Sequence, residues 1–137
     1  MSKIVVLGAG IAGHTAASQL RKKLGKQHEV LVVSPNSNYQ WVPSNIWVGV
    51  GRMSPNDVKF PLEPLYKKHK IGYKQAKVIS FHPEGDEKNT KPYVIAEYVF
   101  GENKGKQEII DYDFLVNATG PKLAFDLTEG MNPGTNK

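Results

Sequence analysis

The sequence predicts an α/β domain built around a parallel β-sheet. Three observations support this fold class. An apolar run at residues 4–7 leads into a glycine-rich turn and a helical pattern, a second run follows at residues 30–33, and a third returns at residues 114–117. Unbroken β-branched runs are typical of parallel strands that are buried on both faces. Strand, turn, helix and strand together predict a right-handed βαβ unit.

The turn reads Gly8-Ala9-Gly10-Ile11-Ala12-Gly13 and has the spacing of a dinucleotide-binding fingerprint. Gly8 permits the tight turn out of the strand, Gly10 lets the backbone approach a pyrophosphate, and Gly13 lets the helix lie close to the sheet. Free N–H groups at the helix start would then face an anionic ligand. An ordinary glycine-rich turn is the alternative, but the placement between an apolar strand and a helix favours a dinucleotide site.

Periodicity predicts the next elements in order. Apolar side chains recur at helical spacing in the first helix, at Ala12, Ala16, Leu20 and Leu24. Gly25 follows as the predicted C-cap. Residues 34–54 are rich in Pro, Asn, Ser, Gly and aromatic residues, and they predict a long functional loop. A second short helix is expected over residues 60–70, and residues 71–73 lead into another strand.

From Lys77 onward the pattern predicts an antiparallel β-meander, because strand-like runs alternate with polar turns. The strand-like runs are residues 78–81, 93–100 and 108–111. The second crossover onto the parallel sheet is therefore expected to consist of β-strands (residues 77–111) and not of a helix. We expect residues 1–125 to form one dinucleotide-binding domain and the polar tail, residues 126–137, to be flexible.

Composition restricts the class of protein. A chain of 137 residues suits one domain, and a hydrophobic content of 39% is typical of a soluble globular protein. The absence of cysteine excludes disulfides and thiolate metal sites within these residues. The histidines lack ligand spacing, so they are interpreted as surface or loop residues and no metal site is expected. They are His14, His28, His69 and His82.

The charge pattern argues against a nucleic-acid surface. The formal net charge is +5, and basic side chains cluster at residues 21–23 and 67–70. Both clusters fall at expected helix ends, where cations suit the helix dipole, which favours solvated helix termini. Neither a signal peptide nor a membrane-spanning helix is expected from the sequence.

Longer segments carry a family resemblance. The glycine turn, the meander crossover and a strand that ends in Ala118-Thr119-Gly120 together resemble the pyridine nucleotide-disulfide oxidoreductase superfamily, whose first dinucleotide-binding domain binds FAD. Residues 39–51 (YQWVPSNIWVGVG) and 117–125 (NATGPKLAF) are similar to the sulfide:quinone oxidoreductase family. The resemblance extends from Lys3 to Phe125. It implies a Rossmann-like FAD-binding domain that is incomplete within these residues.

The resemblance also implies which residues bind FAD. The pyrophosphate would be held by Gly8, Gly10, Ile11, Ala12 and Gly13, and the adenosine ribose by Ser34. The ribityl or flavin end would lie along Pro43, Ser44 and Asn45, and the adenine edge would be held by Lys77 and Val78, chiefly through backbone atoms. The turn that closes over the cofactor would consist of Ala118, Thr119 and Gly120. Ser34 stands where related folds commonly carry an acid, and it supplies only a neutral hydrogen bond.

Several other aromatic, acidic and basic residues are considered for a role at the FAD site, and none of them is assigned a catalytic role. Trp41 and Trp47 are equally compatible with core packing and with flavin contact. Asp111 and Asp113 are interpreted as solvated turn residues. Lys122 is interpreted as a surface residue, and no catalytic residue is assigned.

The resemblance implies a parent enzyme that passes electrons from sulfide through FAD to a quinone. Members of that family carry a second dinucleotide domain, sulfur-holding cysteines and a C-terminal amphipathic part that contacts membrane and quinone, none of which is present here. We therefore expect an N-terminal piece of a longer flavoprotein that is inactive alone. We expect it to be cytoplasmic, or peripheral to a membrane only through the absent part. An open sheet edge is expected to let two copies form a homodimer.

Two alternatives remain at this point. The same FAD domain suits a type II NADH:quinone oxidoreductase or a flavocytochrome sulfide dehydrogenase, which would use a different electron partner. A nucleotide-binding module that uses its basic surface for a partner is the alternative outside enzymes.

Overall fold

The computed structural model describes residues 1–121 and 124–129. The strands are β1 (Lys3–Leu7), β2 (Glu29–Ser34), β3 (Asn38–Gln40), β4 (Lys59–Pro61), β5 (Gly72–His82), β6 (Tyr93–Tyr98), β7 (Gln107–Asp111) and β8 (Phe114–Asn117). The helices are α1 (Ile11–Leu24), α2 (Asn45–Gly49) and α3 (Leu62–Lys68), with short 3-10 helices at Val42–Ser44 and Phe125–Leu127. Lys122 and residues 130–137 of the predicted tail lie outside the described residues.

The main sheet is six-stranded and mixed, with the strand order β7-β6-β5-β2-β1-β8. β1 pairs in parallel with both β2 and β8, and β2 pairs in parallel with the start of β5. β5, β6 and β7 continue as an antiparallel meander. The predicted parallel sheet with a meander crossover is therefore confirmed. The carboxyl ends of β1, β2 and β8 lie at the same edge, where ligands bind in such sheets.

A single strand, β5, takes part in both the parallel sheet and the meander. Residues 72–75 pair in parallel with β2, and residues 76–82 pair antiparallel with β6. The sequence predicts two separate strand segments here, at 71–73 and 78–81, because polar residues between them interrupt the apolar pattern. Backbone pairing with two different partners keeps the strand continuous through that polar stretch.

α1 contacts the sheet through Gly13 and Ala17, which are both buried. The predicted apolar repeat is wrong at Ala12, which is exposed, because Gly13 and not Ala12 begins the face toward the sheet. The predicted C-cap is confirmed: Gly25 has a φ of +58° and its N–H donates to the carbonyl of Arg21 at 3.1 Å. Within the described residues, no helix is both long enough and apolar enough to span a bilayer.

The segment expected to be a long loop, residues 34–54, contains regular structure instead. β3 pairs antiparallel with β4, and the 3-10 helix Val42–Ser44 leads directly into α2. α3 is also shorter than predicted, because Phe60 and Pro61 belong to β4 and the helix begins at Leu62. Elements of three to five residues are too short to show a period in the sequence.

Hydrophobic side chains fill both faces of the sheet. One cluster, which includes Val5, extends along one face from β1 and β2 to the meander strands, and the other, which includes Val6, lies on the opposite face with side chains of α1 and α3. Neighbouring strand residues point to opposite faces, so both clusters draw on the same strands. β8 lies at the edge of the sheet and pairs with β1 alone among the described strands, and its Phe114 is 63% exposed.

Candidate dinucleotide-binding site

The glycine turn between β1 and α1 packs backbone against backbone. Gly8 has a φ of +91°, and a Cβ atom there would overlap the carbonyl oxygen of Ala118 at the end of β8. A Cβ atom on Gly13 would overlap the carbonyl oxygen of Gly8 and lie 3.3 Å from the Ala118 Cβ. Only glycine fits at these two positions, because the helix start and two strand ends meet there.

The N-terminus of α1 is open toward the solvent. Gly10 is the N-cap residue, with φ −72° and ψ −169°, and it supplies no side chain that could cap the helix. A Cβ atom on Gly10 would have no neighbour within 4 Å. The first N–H groups of a helix have no partner inside the helix. Those of Ile11, Ala12 and Gly13 therefore have no partner within the helix; Ile11 and Ala12 are exposed, whereas Gly13 is buried.

A cavity of about 450 Å³ lies at the carboxyl ends of β1, β2 and β8 and beside β5. Most of the residues predicted from the sequence line this cavity, although they come from distant parts of the chain. They are Gly8, Gly10, Ser34, Lys77, Val78, Ala118, Thr119 and Gly120. The fold therefore brings the glycine turn, the end of β2, the start of the meander and the Ala-Thr-Gly turn into one wall.

A second cavity of about 540 Å³ continues from the first across the helix start. Both cavities are lined by Ala9, Gly10, Pro35 and Asn36, so they form one elongated depression. We call it the α1 groove. Its far end reaches Lys59 on β4. An elongated groove centred on a helix N-terminus suits a ligand with a pyrophosphate in its middle.

The charge of the α1 groove is positive. Lys59 and Lys77 are the ionisable side chains among the described residues that line it, and no carboxylate is among them. The first turn of α1 also carries no acidic residue. Two lysines and the positive end of a helix dipole together favour an anionic ligand.

Ser34 lies in the cavity wall but is buried, with 1% of its surface exposed. Its hydroxyl oxygen accepts a hydrogen bond from the N–H of Asn36 at 3.3 Å. Asn36 lines both parts of the groove and is exposed, so its amide side chain is more accessible than the Ser34 hydroxyl. The sequence prediction missed Pro35 and Asn36 as groove residues. Their position directly after β2, at the carboxyl end of a parallel strand, is the feature of the sequence that could have indicated them.

Pro43, Ser44 and Asn45 are not brought into the wall of the α1 groove. They form the 3-10 helix and the first residue of α2, and Asn45 accepts a hydrogen bond from Gln40 at 3.0 Å. Gln40 and Val42 line the groove at this end instead. The side chains that face the groove therefore lie a few residues before the three that the resemblance implied.

Trp41 and Trp47 do not pack in the core. They are 47% and 44% exposed, and the guanidinium of Arg52 lies 5.5 Å from the Trp47 ring centroid. The core-packing interpretation of these residues is therefore wrong. Trp41 precedes the 3-10 helix and Trp47 lies in α2, and neither of these two short helices contains a buried residue.

The acidic residues near Tyr112 have structural roles. Asp111 forms an ion pair with Lys3 at 3.2 Å, and this hydrogen bond and charge lower the pKa of Asp111. Asp113 accepts the backbone N–H of Lys3 at 2.7 Å. Both carboxylates therefore hold the beginning of β1 beside β7 and β8, far from the α1 groove.

Two of the histidines are not surface or loop residues, contrary to expectation. His14 lies in α1, is half-buried, and its Nδ1 is 3.1 Å from the hydroxyl of Tyr66. Burial and the nearby His69 lower the pKa of His14. His82 ends β5 and stacks on Tyr93 at a centroid distance of 4.3 Å. Aromatic packing accounts for both positions, and among the described residues no three potential metal ligands come together.

Fold and groove together define a Rossmann-like domain whose groove suits an anionic, dinucleotide-like ligand. The family model described as "Pyridine nucleotide-disulphide oxidoreductase" matches residues 2–137, and the chain belongs to this family. Its members are flavin oxidoreductases.

Within this family the chain is similar to sulfide:quinone oxidoreductases, as its sequence motifs predicted. It is 30% identical to the mitochondrial sulfide:quinone oxidoreductase of Dictyostelium discoideum over 137 residues, which are 100% of this chain and 27% of that protein. It is 30% identical to the sulfide-quinone reductase of Aquifex aeolicus over 122 residues, 89% of this chain and 25% of that protein. The solved structure of the Aquifex aeolicus sulfide:quinone oxidoreductase superposes with a TM-score of 0.76 at 28% identity, covering 91% of this chain and 26% of that chain.

A second group of relatives is also similar. The chain is 26% identical to a type II NADH:quinone oxidoreductase of Staphylococcus aureus over 121 residues, which are 86% of this chain and 26% of that protein. The chain spans about a quarter of the length of the curated relatives that it matches.

Proposed function

We propose that this chain forms the FAD-binding part of a flavoprotein oxidoreductase that transfers electrons from sulfide to a quinone. The observation that carries the proposal is the α1 groove, in which a glycine turn, an uncapped helix N-terminus and two lysines meet. A pyrophosphate suits this place because backbone N–H donors and positive potential converge on it.

The steric features of the groove also fit FAD. The open space over Gly10 admits the pyrophosphate backbone, whereas any side chain at this position would project into it. We propose that FAD is held by the residues that the sequence indicated, with two adjustments. Asn36 replaces Ser34 as the main side-chain partner of the ribose, because the Ser34 hydroxyl is buried. Gln40 and Val42 replace Pro43, Ser44 and Asn45 in the wall beyond the helix start.

The chain's own contribution to the reaction is binding and orientation. Bound FAD would supply the redox chemistry, taking electrons from a donor and passing them to an acceptor. Lys77 and Val78 would hold the adenine end, and Ala118, Thr119 and Gly120 would close the wall beside the glycine turn. The 137 residues contain no cysteine, so they offer no thiolate that could receive sulfur from sulfide.

A type II NADH:quinone oxidoreductase is the second candidate. It is supported by the similarity to the Staphylococcus aureus protein of that name. The two candidates share the FAD site and differ in the electron donor. Sulfide is preferred as the electron donor because two relatives that are 30% identical to the chain, against 26% for the Staphylococcus aureus protein, are named as sulfide:quinone oxidoreductase and sulfide-quinone reductase. A similar solved structure is also that of a sulfide:quinone oxidoreductase.

Cofactor binding tests the shared part of the proposal. FAD is titrated into the purified chain while flavin fluorescence is followed, and NADH is titrated in parallel. We expect saturable quenching with FAD and much weaker binding of NADH. Riboflavin, which lacks the pyrophosphate and the adenosine, is the matched control and should bind far more weakly. Saturable NADH binding together with no FAD signal would overturn the proposal.

The electron donor is tested by sequencing the gene downstream of the codon for Lys137. Two cysteines in the encoded continuation would support sulfide, and a second glycine fingerprint whose following strand ends in an acid would support NADH. A stop codon directly after Lys137 would contradict both enzyme candidates and leave a nucleotide-binding module.

A further inference from the structure

We infer that Phe81 is the aromatic platform on which the adenine ring of the dinucleotide stacks. This inference rests on the proposed function and adds a binding residue that the sequence did not indicate. Phe81 lines the same cavity as Lys77 and Val78, at the end of the groove away from Lys59. The chemistry recognised at this end is therefore a flat purine ring attached to a diphosphate.

A β-bulge in β5 determines the direction of the Phe81 side chain. Val78 pairs with Ala96 on β6, and the next pair joins Ser80 to Ile95. Two residues of β5 therefore span one step of β6, and Ile79 is the extra residue.

The bulge moves Phe81 to the inner face of the meander. Directly opposed residues of an antiparallel pair lie on the same face. Phe81 opposes Val94, which is fully buried in the core cluster that contains Val5, so the inner face of the meander is the face that carries this cluster. Regular alternation would place Phe81 and Val78, three positions apart, on opposite faces. The extra residue instead puts both on the face that borders the cavity.

Phe81 gains little from packing within the described chain. Its side chain is 47% exposed although it lies on the inner face. In the part of the chain that the structure describes, its ring stacks on no other aromatic ring. Ala76 and Val78 give this end of the cavity an apolar wall. An exposed phenyl ring on an apolar wall suits a stacked heterocycle, because stacking removes the facing surface of each of the two rings from water.

Contacts on the outer face hold the bulge in place. The Ser80 hydroxyl lies 3.1 Å from Nε2 of His82, and His82 stacks on Tyr93 with an interplanar angle of 7°. The Tyr93 hydroxyl in turn donates to Asp86 in the following turn. Phe81 is therefore positioned before any ligand arrives, and preorganised side chains lose less entropy on binding.

ADP is the probe for this inference, because it carries adenine and a pyrophosphate but no flavin. Its binding is measured by isothermal titration calorimetry for the parent chain, Phe81→Ala, Phe81→Leu and Phe81→Tyr. Loss of one stacking partner should weaken ADP binding about tenfold in Phe81→Ala. Phe81→Leu keeps apolar bulk without a flat ring and should weaken binding as well, whereas Phe81→Tyr should retain it.

Two controls separate stacking from other effects. Inorganic pyrophosphate should bind the parent chain and Phe81→Ala equally, because it has no adenine. Phe100→Ala removes another exposed aromatic ring that lies outside the α1 groove, and it should leave ADP binding unchanged. Circular dichroism checks that each variant is folded.

The outcomes distinguish this inference from the proposed function. Equal ADP affinity in the parent chain and Phe81→Ala would overturn the role of Phe81 while leaving FAD binding in place. The same loss in Phe100→Ala would also overturn it, because the effect would then not depend on the groove. A parent chain that binds FAD but not ADP would overturn the adenine site alone, and one that binds neither would overturn both proposals.

Discussion

A Cβ atom on Gly13 would overlap the carbonyl oxygen of Gly8, so the first and last glycines of the turn touch through their backbones. This contact joins the end of β1 to the first turn of α1. It leaves the helix N-terminus facing the α1 groove, where Gly10 has open space. The same six residues therefore contain two positions that must be glycine for packing and one that is glycine without any packing requirement.

Alanine substitutions separate these two kinds of glycine. Gly13→Ala should lower the free energy of unfolding by about 3 kcal/mol, because the new methyl group overlaps rigid backbone. Gly10→Ala should leave stability unchanged or slightly higher, because its φ of −72° suits alanine and no atom lies nearby. Urea unfolding followed by circular dichroism measures both. Equal stability of the two variants would contradict the packing role of Gly13.

Gly10→Val tests the pyrophosphate position. The backbone at Gly10 is extended, so valine is tolerated and the fold should persist. The isopropyl group would occupy the space over the helix start, and FAD affinity should fall by at least about tenfold. Fluorescence titration measures the affinity, with Gly10→Ala as an intermediate control. A folded Gly10→Val chain that binds FAD as well as the parent would show that the site lies elsewhere.

The network of Lys74, Tyr98 and Glu108 predicts a pH dependence of stability. Burial raises the pKa of Glu108, but hydrogen bonds from Lys74 at 2.8 Å and from Tyr98, with the Lys74 charge, hold it below its usual 4.5. Because the folded-state pKa is the lower one, the network stabilises above about pH 4.5 and is lost as the pH falls further.

Glu108→Gln should therefore lower the free energy of unfolding at neutral pH by about 1 kcal/mol, since the pair is partly exposed. At about pH 3 the difference from the parent should shrink, because the carboxyl is then protonated in the unfolded chain and ionising it on folding costs free energy. Urea unfolding at the two pH values checks this. Glu87→Gln, in an exposed turn, is the control and should have little effect at either pH. A Glu108→Gln difference that does not change with pH would contradict the ionic role.

The edge strand β8 predicts self-association. Its outer backbone groups pair with no described strand, and Phe114 is largely exposed beside them. Two copies are expected to pair through this edge, giving a concentration-dependent dimer in sedimentation velocity. Phe114→Lys places a charge on the edge and should shift the equilibrium to monomer. Phe100→Lys alters another exposed phenylalanine and should leave the dimer intact; dissociation by both variants would argue against the β8 edge.

Catalysis is expected to be absent from the isolated chain. Without cysteine it has no thiolate that could accept sulfur, so sulfide should not support quinone reduction even with FAD added. The measurement is the loss of absorbance of a soluble quinone analogue in the presence of sulfide, with free FAD as the background control. Turnover above that background would place redox chemistry on residues assigned here only to binding.

The sequence predicted the parallel centre of the fold because its signals are local. The apolar run of β2 and the glycine turn after β1 each lie within a few consecutive residues, and both match the structure. The same holds for the C-cap at Gly25. Residues that line the groove could also be anticipated where they belong to these motifs, as Gly10 and Ala118 do.

The remaining features depend on partners that are distant in sequence. The bulge that orients Phe81 is set by pairing with β6, so nothing around residue 79 reveals it. Burial of Ser34 depends on how β2 meets β5, and its hydroxyl is taken by Asn36. The packing of His14 against Tyr66 likewise depends on where α3 docks.

The position of β1 between β2 and β8 affects how the chain folds as it is made. β2 reaches β1 after a single helix, whereas β8 arrives only after the whole meander, and Asp113 contacts Lys3 across 110 positions. One edge of β1 therefore has no partner while most of the domain is being synthesised on the ribosome. Such long-range pairing slows folding and exposes strand edges that aggregate. For this reason we expect a nascent chain that has not yet reached Asn117 to expose the free edge of β1 to chaperones.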